Sequence, residues 1–462
     1  MSVSKFVSPG VLLTIDLFLV SAGNWIYWLI ISKLTLVSQV GAATTVYSLV
    51  VLTSSLTMLG LEYTLVKKAS TERSRILGTA ITIEFLIILA SLPLFLYFLN
   101  NLYLGSMQVF GWIAVGILIF TSLSHILRSA LLGISDAKSV LIFNSIGTGI
   151  QFIVGYVLVS MGYGAYGILL SFLSHLIFMS AGFIVVAMST FRFKLGNLKY
   201  AKEIIKDALI NMPAQLTRVF IFSLSVVLLA SFGISQSEVG IFYIALMVSV
   251  IGGGLAANIA LMAIPASSES KRDLSTESIR IGLSLTAPII VILIIAGKSI
   301  LYLIGSEYSS AETILIILSI GIFPFTIVMN AISKFNNLGK SGKLISIGSI
   351  QISIFLAMFY LLVPLYATLG AALSIFLAFV ASCVPSIIWS DRVLIKYIAS
   401  SGASIIAGLA AASIIEFTSY SNIHPIVLGL ISMSVTLTVT FALKCTSPRE
   451  IGQLVRSMVR KN

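Results

Sequence analysis

The sequence predicts an all-α polytopic membrane protein of about fourteen transmembrane helices, built as two pseudo-symmetric six-helix lobes followed by two further helices. Three observations predict this. First, 58% of the residues are hydrophobic and only 10% are charged, far from the balance of a soluble domain. Second, Lys and Arg crowd into every second connection between apolar segments. Third, short motifs from the first half recur in the second.

The apolar segments fall at 11–31, 40–60, 77–99, 107–127, 139–160, 166–188, 213–233, 239–262, 279–297, 312–332, 344–363, 369–390, 398–416 and 424–443. Each is long enough to cross about 30 Å of hydrocarbon as a helix. Only helices satisfy their own backbone in lipid without closing a barrel, so a helical bundle is expected. The first segment is too long for the apolar core of a cleavable signal and is read as a span.

Of the 28 Lys and Arg residues, 25 lie on one side, from Lys5 through Lys67, Lys68, Lys202 and Lys340 to Arg460 and Lys461. The opposite connections hold Lys33 and Lys298, and Arg218 lies inside a span. Basic short loops stay in the cytoplasm, which predicts a multi-pass protein of the cell (cytoplasmic) membrane with both termini cytoplasmic. The net charge of +12 then acts on the membrane surface, and no nucleic-acid partner is expected. Cys383 and Cys445 form no metal motif, and no metal or cofactor is expected.

The connection 191–212 carries Leu198, Ala201, Ile204, Ile205, Ala208 and Leu209 at helical spacing, with Lys199, Lys202 and Lys206 off that stripe. It predicts an amphipathic linker helix on the inner leaflet. The tail 446–462 repeats the pattern. The expected organisation is an N-lobe over 1–190, the linker over 191–212, a C-lobe over 213–396, two added spans over 397–445 and the cytoplasmic tail.

The internal repeat is carried by three pairs in one order. Ser38-Gln39-Val40-Gly41 matches Ser237-Glu238-Val239-Gly240. Arg128-x-x-x-Leu132-Gly133 matches Lys334-x-x-x-Leu338-Gly339, and Gly167-x-x-x-Ser171 matches Gly370-x-x-x-Ser374. Each repeat holds an even number of spans, so the two run parallel. Such repeats typify transporters with a midplane site.

Further along, Leu59-Gly60-Leu61-Glu62 followed by Lys67-Lys68, Ser237–Ala245, Ile304-Gly305-Ser306-Glu307-Tyr308-Ser309-Ser310-Ala311, Leu338-Gly339-Lys340 and Leu369-Gly370-Ala371-Ala372 resemble the punctuation of the Wzx-like oligosaccharide flippases. These belong to the multidrug/oligosaccharidyl-lipid/polysaccharide exporter (MOP) superfamily. The resemblance covers nearly the whole chain. It implies a V-shaped, two-lobed transporter, working as a monomer by alternating access. Its substrate would be a polyprenyl- or dolichyl-diphosphate-linked oligosaccharide, moved from the cytoplasmic to the outer leaflet for polysaccharide or glycoprotein glycan assembly.

Ionisable groups inside spans are costly and therefore functional candidates. Arg218 in span seven offers a guanidinium fork that suits a diphosphate and stays charged when buried. The alternative is an arginine that snorkels or pairs structurally. Arg128 and Lys334 occupy matching repeat positions; they would face each other across the inward mouth and collect the diphosphate, or serve as ordinary inside anchors. Asp16 has three readings: a pair with Arg218, a site for a coupling H+ or Na+, or a helix-start carboxylate bonded to backbone. Glu84 in span three is an ion-coupling or gate candidate, or a satisfied polar group within the bundle. Asn24 and Trp25, with Tyr27 and Trp28, form either an interfacial aromatic belt or a sugar-stacking surface. His125 and His175 have no metal spacing and are read as polar contacts.

The competing function is a cation-coupled MATE-type antiporter of small molecules or drugs. Twelve spans would favour it; fourteen favour the flippase. Membrane glycosyltransferases need catalytic groups in sizeable outer loops, and the loops here are too short, so no enzyme activity is expected.

Overall fold

The structure is a computed structural model that describes residues 4–102, 107–250, 253–254, 275–390, 393–418, 423–443 and 445. The end of the eighth predicted span, Lys271, Arg272, Arg392, Lys444 and the tail 446–462 lie outside the described residues. All regular structure among the described residues is helical. The helices are α1 (Ser4–Leu34), α2 (Val37–Thr57), α3 (Leu61–Lys68), α4 (Ile76–Leu102), α5 (Met107–Gly133), α6 (Ala137–Ser160) and α7 (Gly164–Thr190). They continue with α8 (Leu198–Ser231), α9 (Gln236–Val250) and α10 (Ser275–Ile304). After a 3-10 turn at Ser306–Ala311 come α11 (Glu312–Asn337), α12 (Ser341–Ile388), α13 (Val393–Thr418) and α14 (Pro425–Ala442).

Ten of these stretches are long and apolar enough to cross a membrane by length and composition. One of them, α12, runs for 48 residues and holds two predicted spans, because Ala367 (φ 47°, ψ −126°) breaks it between them. Left-handed backbone at a residue with a Cβ costs about 1–3 kcal/mol and persists only when its surroundings impose it. The turn between α6 and α7 uses Gly164 at φ 48°, where a positive φ is free of that cost. The remaining predicted spans fall on α1, the end of α8 and α9.

Burial repeats along with the motifs. On α6 the buried positions include Val140, Asn144, Gly147, Gln151, Gly155 and Val159, beside Ala137. On α12 they include Leu344, Gly348, Gln351, Phe355, Phe359 and Val363, at one constant interval from those six, with Ile347 buried besides. The same helix faces are thus buried in both halves, with different polarity: Asn144 and Gln151 are answered by Gly348 and Phe355.

Two compact units emerge, the first ending at Gly240 and the second beginning at Ile241. In the first, α6 packs on α1 and α7, α5 on α7, and α8 on α2, α3 and α4. In the second, α10 packs on α11, α13 and α14, and α11 on α12. The amphipathic stripe at 198–209 is continuous with span seven in the 34-residue α8. Part of that stripe is covered by protein, not left to lipid. Ile204 and Ala208 are fully buried in a cluster with Leu61 and Leu65 of α3, Ile76 and Leu77 of α4, and Ile126 and Leu127 of α5. A large aliphatic side chain removed from water contributes about 1.5–3 kcal/mol, so docking on this cluster outweighs a purely interfacial position. The motif at Ile304–Ala311 is structural: Tyr308 and Ala311 of the 3-10 turn are buried.

Candidate functional site

Asp16 is 1% exposed on α1, and two further helices bring groups to it. Asn144 of α6 donates its side-chain amide to both carboxylate oxygens, at 2.7 and 2.9 Å. Arg128, near the end of α5, donates from NH2 to Oδ2 at 3.2 Å. A buried carboxyl group is costly unless it is paired and hydrogen-bonded, and this arrangement supplies both. Asp16 therefore has a partner other than the expected Arg218. Arg128, expected as a diphosphate collector, directs its guanidinium to Asp16; its side chain stays 30% exposed, so its free edge still reaches outward. The Asn144 Oδ1 has no hydrogen-bond partner, which leaves an acceptor beside the pair.

The other candidates are distributed. Arg218 lies on α8, and its side chain is outside the described ones. Lys334 belongs to the second unit, where it lines a shallow, water-sized pocket with Thr276, Ile279, Asn330, Ala331, Ser390 and Leu394; the Ser278 hydroxyl donates to Asn330 beside it at 2.8 Å. Asn24 and Trp25 are partly exposed on α1. Tyr27 and Trp28, expected at an interfacial belt or sugar surface, are instead core residues at 1% and 5% exposure. Tyr27 bonds Ser171 of α7 at 2.7 Å, and both rings pack edge-on or tilted against Phe172. Their spacing puts them on the helix face that meets α7, where an amphipathic ring is as well satisfied as at a headgroup.

Glu84 is 2% exposed on α4, and its Oε1 accepts from Thr57 of α2 at 2.8 Å. A short contact joins His125 of α5 to Glu62 of α3. At the other end of α3, Lys68 is clasped by Glu203 at 2.7 Å and Asp207 at 2.8 Å on α8. Burial alone lowers the Lys68 pKa, but the hydrogen bonds to Asp207 and Glu203 and the charges of Asp207 and Glu72 outweigh it and raise the group above its ordinary value. A raised lysine contributes its stability below the unfolded value and loses it only as pH rises through the folded one. The clasp therefore does not open on the lysine side near neutral pH. Tyr200 of α8 adds a hydroxyl bond to Glu72.

The sequence reading passed over Asn144, Thr57 and Glu62 as ligands of these groups. An Asn in an apolar span is a usable signal, since an unbonded amide in lipid is costly; Thr57 gave none, and Glu62 stood out only within the Leu59–Glu62 motif.

No protein-family model matches the chain, and no characterised protein matches it by sequence. Solved structures do match its fold. The lipid II flippase MurJ in an inward closed conformation superposes with TM-score 0.68 at 14% identity, covering 97% of this chain and 99% of that one. An inward-facing multidrug resistance MATE family transporter of the MOP superfamily gives 0.64 at 14% identity, covering 85% of this chain and 98% of its own. The MATE transporter VcmN of Vibrio cholerae gives 0.55 at 14% identity, with 85% and 97% covered. The chain thus has the fold shared by MurJ and the MATE transporters.

Proposed function

We propose that the protein is a MOP-type transporter that flips a lipid-diphosphate-linked oligosaccharide from the cytoplasmic to the outer leaflet by alternating access, and that it is not an enzyme. The observation that carries this reading is length of match. The flippase fold accounts for 97% of the chain, whereas the MATE transporter folds leave about a seventh uncovered. Fourteen predicted spans agree with the former.

In this reading Arg218 on α8 receives the diphosphate, whose charge must leave the aqueous interface with the lipid. A guanidinium presents paired donors to phosphate oxygens and stays protonated in a low-dielectric site. Arg128 and Lys334 act earlier, at the basic end of each half. Arg128 does so with its exposed edge while Asp16 and Asn144 hold its position. The second reading, a cation-coupled MATE-type antiporter, is favoured by one observation: a buried carboxylate on the first helix, Asp16.

Arg218→Ala is expected to abolish surface glycan in cells lacking the wild-type gene while leaving protein levels normal. Arg218→Lys should restore it only partly, because Lys keeps the charge and loses the fork. Quantifying surface glycan against membrane protein checks this. Full export by a stably expressed Arg218→Ala protein contradicts the diphosphate role.

A further inference from the structure

The first unit contains a second buried carboxylate that the Asp16 cluster does not use. Glu84 is 2% exposed. One of its oxygens accepts from Thr57 at 2.8 Å; the other, Oε2, is buried without a hydrogen-bond partner, and the Ser122 hydroxyl is the further polar neighbour that acts on the carboxyl group. No cationic side chain forms an ion pair with it among the described residues. Asp16, at similar burial, has Arg128 and two amide bonds. The two acids thus sit in opposite environments.

An unpaired carboxylate withdrawn from water costs far more than this fold can supply, so it must carry a cation. Two kinds are available. A bare metal ion such as Na+ needs several oxygen ligands. The surroundings offer Thr57 and the hydroxyls of Ser54 and Ser122, which bond each other at 3.1 Å. A proton needs one acceptor oxygen and a route.

The titratable groups that act on Glu84 are His125 of α5 and Glu62 of α3. From α2 it meets hydroxyls, and the acids of α8, Glu203 and Asp207, are held by Lys68. Ser122 and His125 are one turn apart on α5. The His125 Nδ1 is engaged by Glu62, and its side chain is 46% exposed. An imidazole accepts a proton at one nitrogen and releases one from the other, so a partly exposed His125 that acts on Glu84 is suited to carry protons between solvent and the buried acid.

The geometry points to Glu84 as a proton-carrying site, loaded through the His125–Glu62 pair and separate from the Asp16–Arg128–Asn144 cluster. In the loading step one N–H bond of the imidazolium breaks and one O–H bond forms on Glu84, and the imidazole is re-protonated from water. As a coupling site it rests on the transporter reading above; as a proton site it does not.

The test is infrared spectroscopy of the purified protein in lipid nanodiscs without substrate, comparing H2O with D2O. A protonated, buried carboxyl band that shifts in D2O is expected in the wild type and in Asp16→Asn, and is expected to vanish in Glu84→Gln. His125→Ala should keep the band and slow its shift by about 100-fold, the scale of a positioned proton carrier. If Glu84→Gln does not fold, Glu84→Asp should move the band without deleting it. An unchanged band in both Glu84 variants overturns the assignment. An unslowed shift in His125→Ala overturns the route. Loss of the band on adding Na+ shows a metal-ion site and overturns the proton. None of these results depends on Arg218 or on export, so failure here and failure of the flippase reading are told apart.

Discussion

Arg128→Ala is expected to destabilise the first unit by about 3 kcal/mol, near the lower end for stripping one partner from a buried pair. The lower end applies because the guanidinium is 30% exposed while Asp16 is 1% exposed. The asymmetry has a further consequence. Removing Arg128 strands an acid that cannot reach water, whereas Asp16→Asn leaves a cation that can turn outward, with Asn144 still able to bond an amide. Asp16→Asn should therefore melt closer to wild type. The double variant Asp16→Asn/Arg128→Gln should recover most of the loss, because a neutral replacement of a buried pair is close to neutral in energy. Melting followed by size-exclusion in detergent checks the order: wild type, then the double variant and Asp16→Asn, with Arg128→Ala lowest. Equal melting of the two single variants would contradict the burial argument.

Gly41→Ala and Gly240→Ala are expected to lose about 4 kcal/mol or more, enough to prevent recovery of folded protein. A Cβ on Gly41 would lie 1.7 Å from the Gln236 carbonyl oxygen and 3.0 Å from the Gly240 nitrogen. A Cβ on Gly240 would lie 2.5 Å from the Val37 carbonyl oxygen. These neighbours are backbone and cannot rotate away. The control is Gly149→Ala on α6, where nothing lies within 4 Å; there the higher helix propensity of Ala should add up to about 1 kcal/mol. Expression of monodisperse protein separates the two cases.

The glycine pair also explains what the sequence made legible. Ser38-Gln39-Val40-Gly41 and its counterpart at 237–240 stood out as a repeat, and the structure gives each terminal glycine one duty, close backbone approach. Spans were legible because their length and apolarity answer to the bilayer alone. The merging of the stripe at 198–209 into α8 was not, because an apolar stripe looks the same whether lipid or protein covers it. The candidate acids were legible as ionisable groups in apolar helices. Their partners were not, because Asp16 chose Arg128 and Asn144 by tertiary proximity, and similar depth had pointed to Arg218. Lys68 was counted with the basic inner loops, yet it spends its charge on Glu203 and Asp207, acids that a tally of Lys and Arg leaves out.

The central claim is the substrate class, and reconstitution into liposomes tests it most directly. A fluorescent polyprenyl-diphosphate oligosaccharide would be placed in one leaflet, and its arrival in the other read with an impermeant quencher, beside an assay for gradient-driven efflux of a cationic dye. The account predicts transfer of the lipid-linked sugar by the wild type, none by Arg218→Ala, and no dye efflux by either. Dye efflux driven by a cation gradient, with the lipid-linked sugar left in its original leaflet, would contradict it.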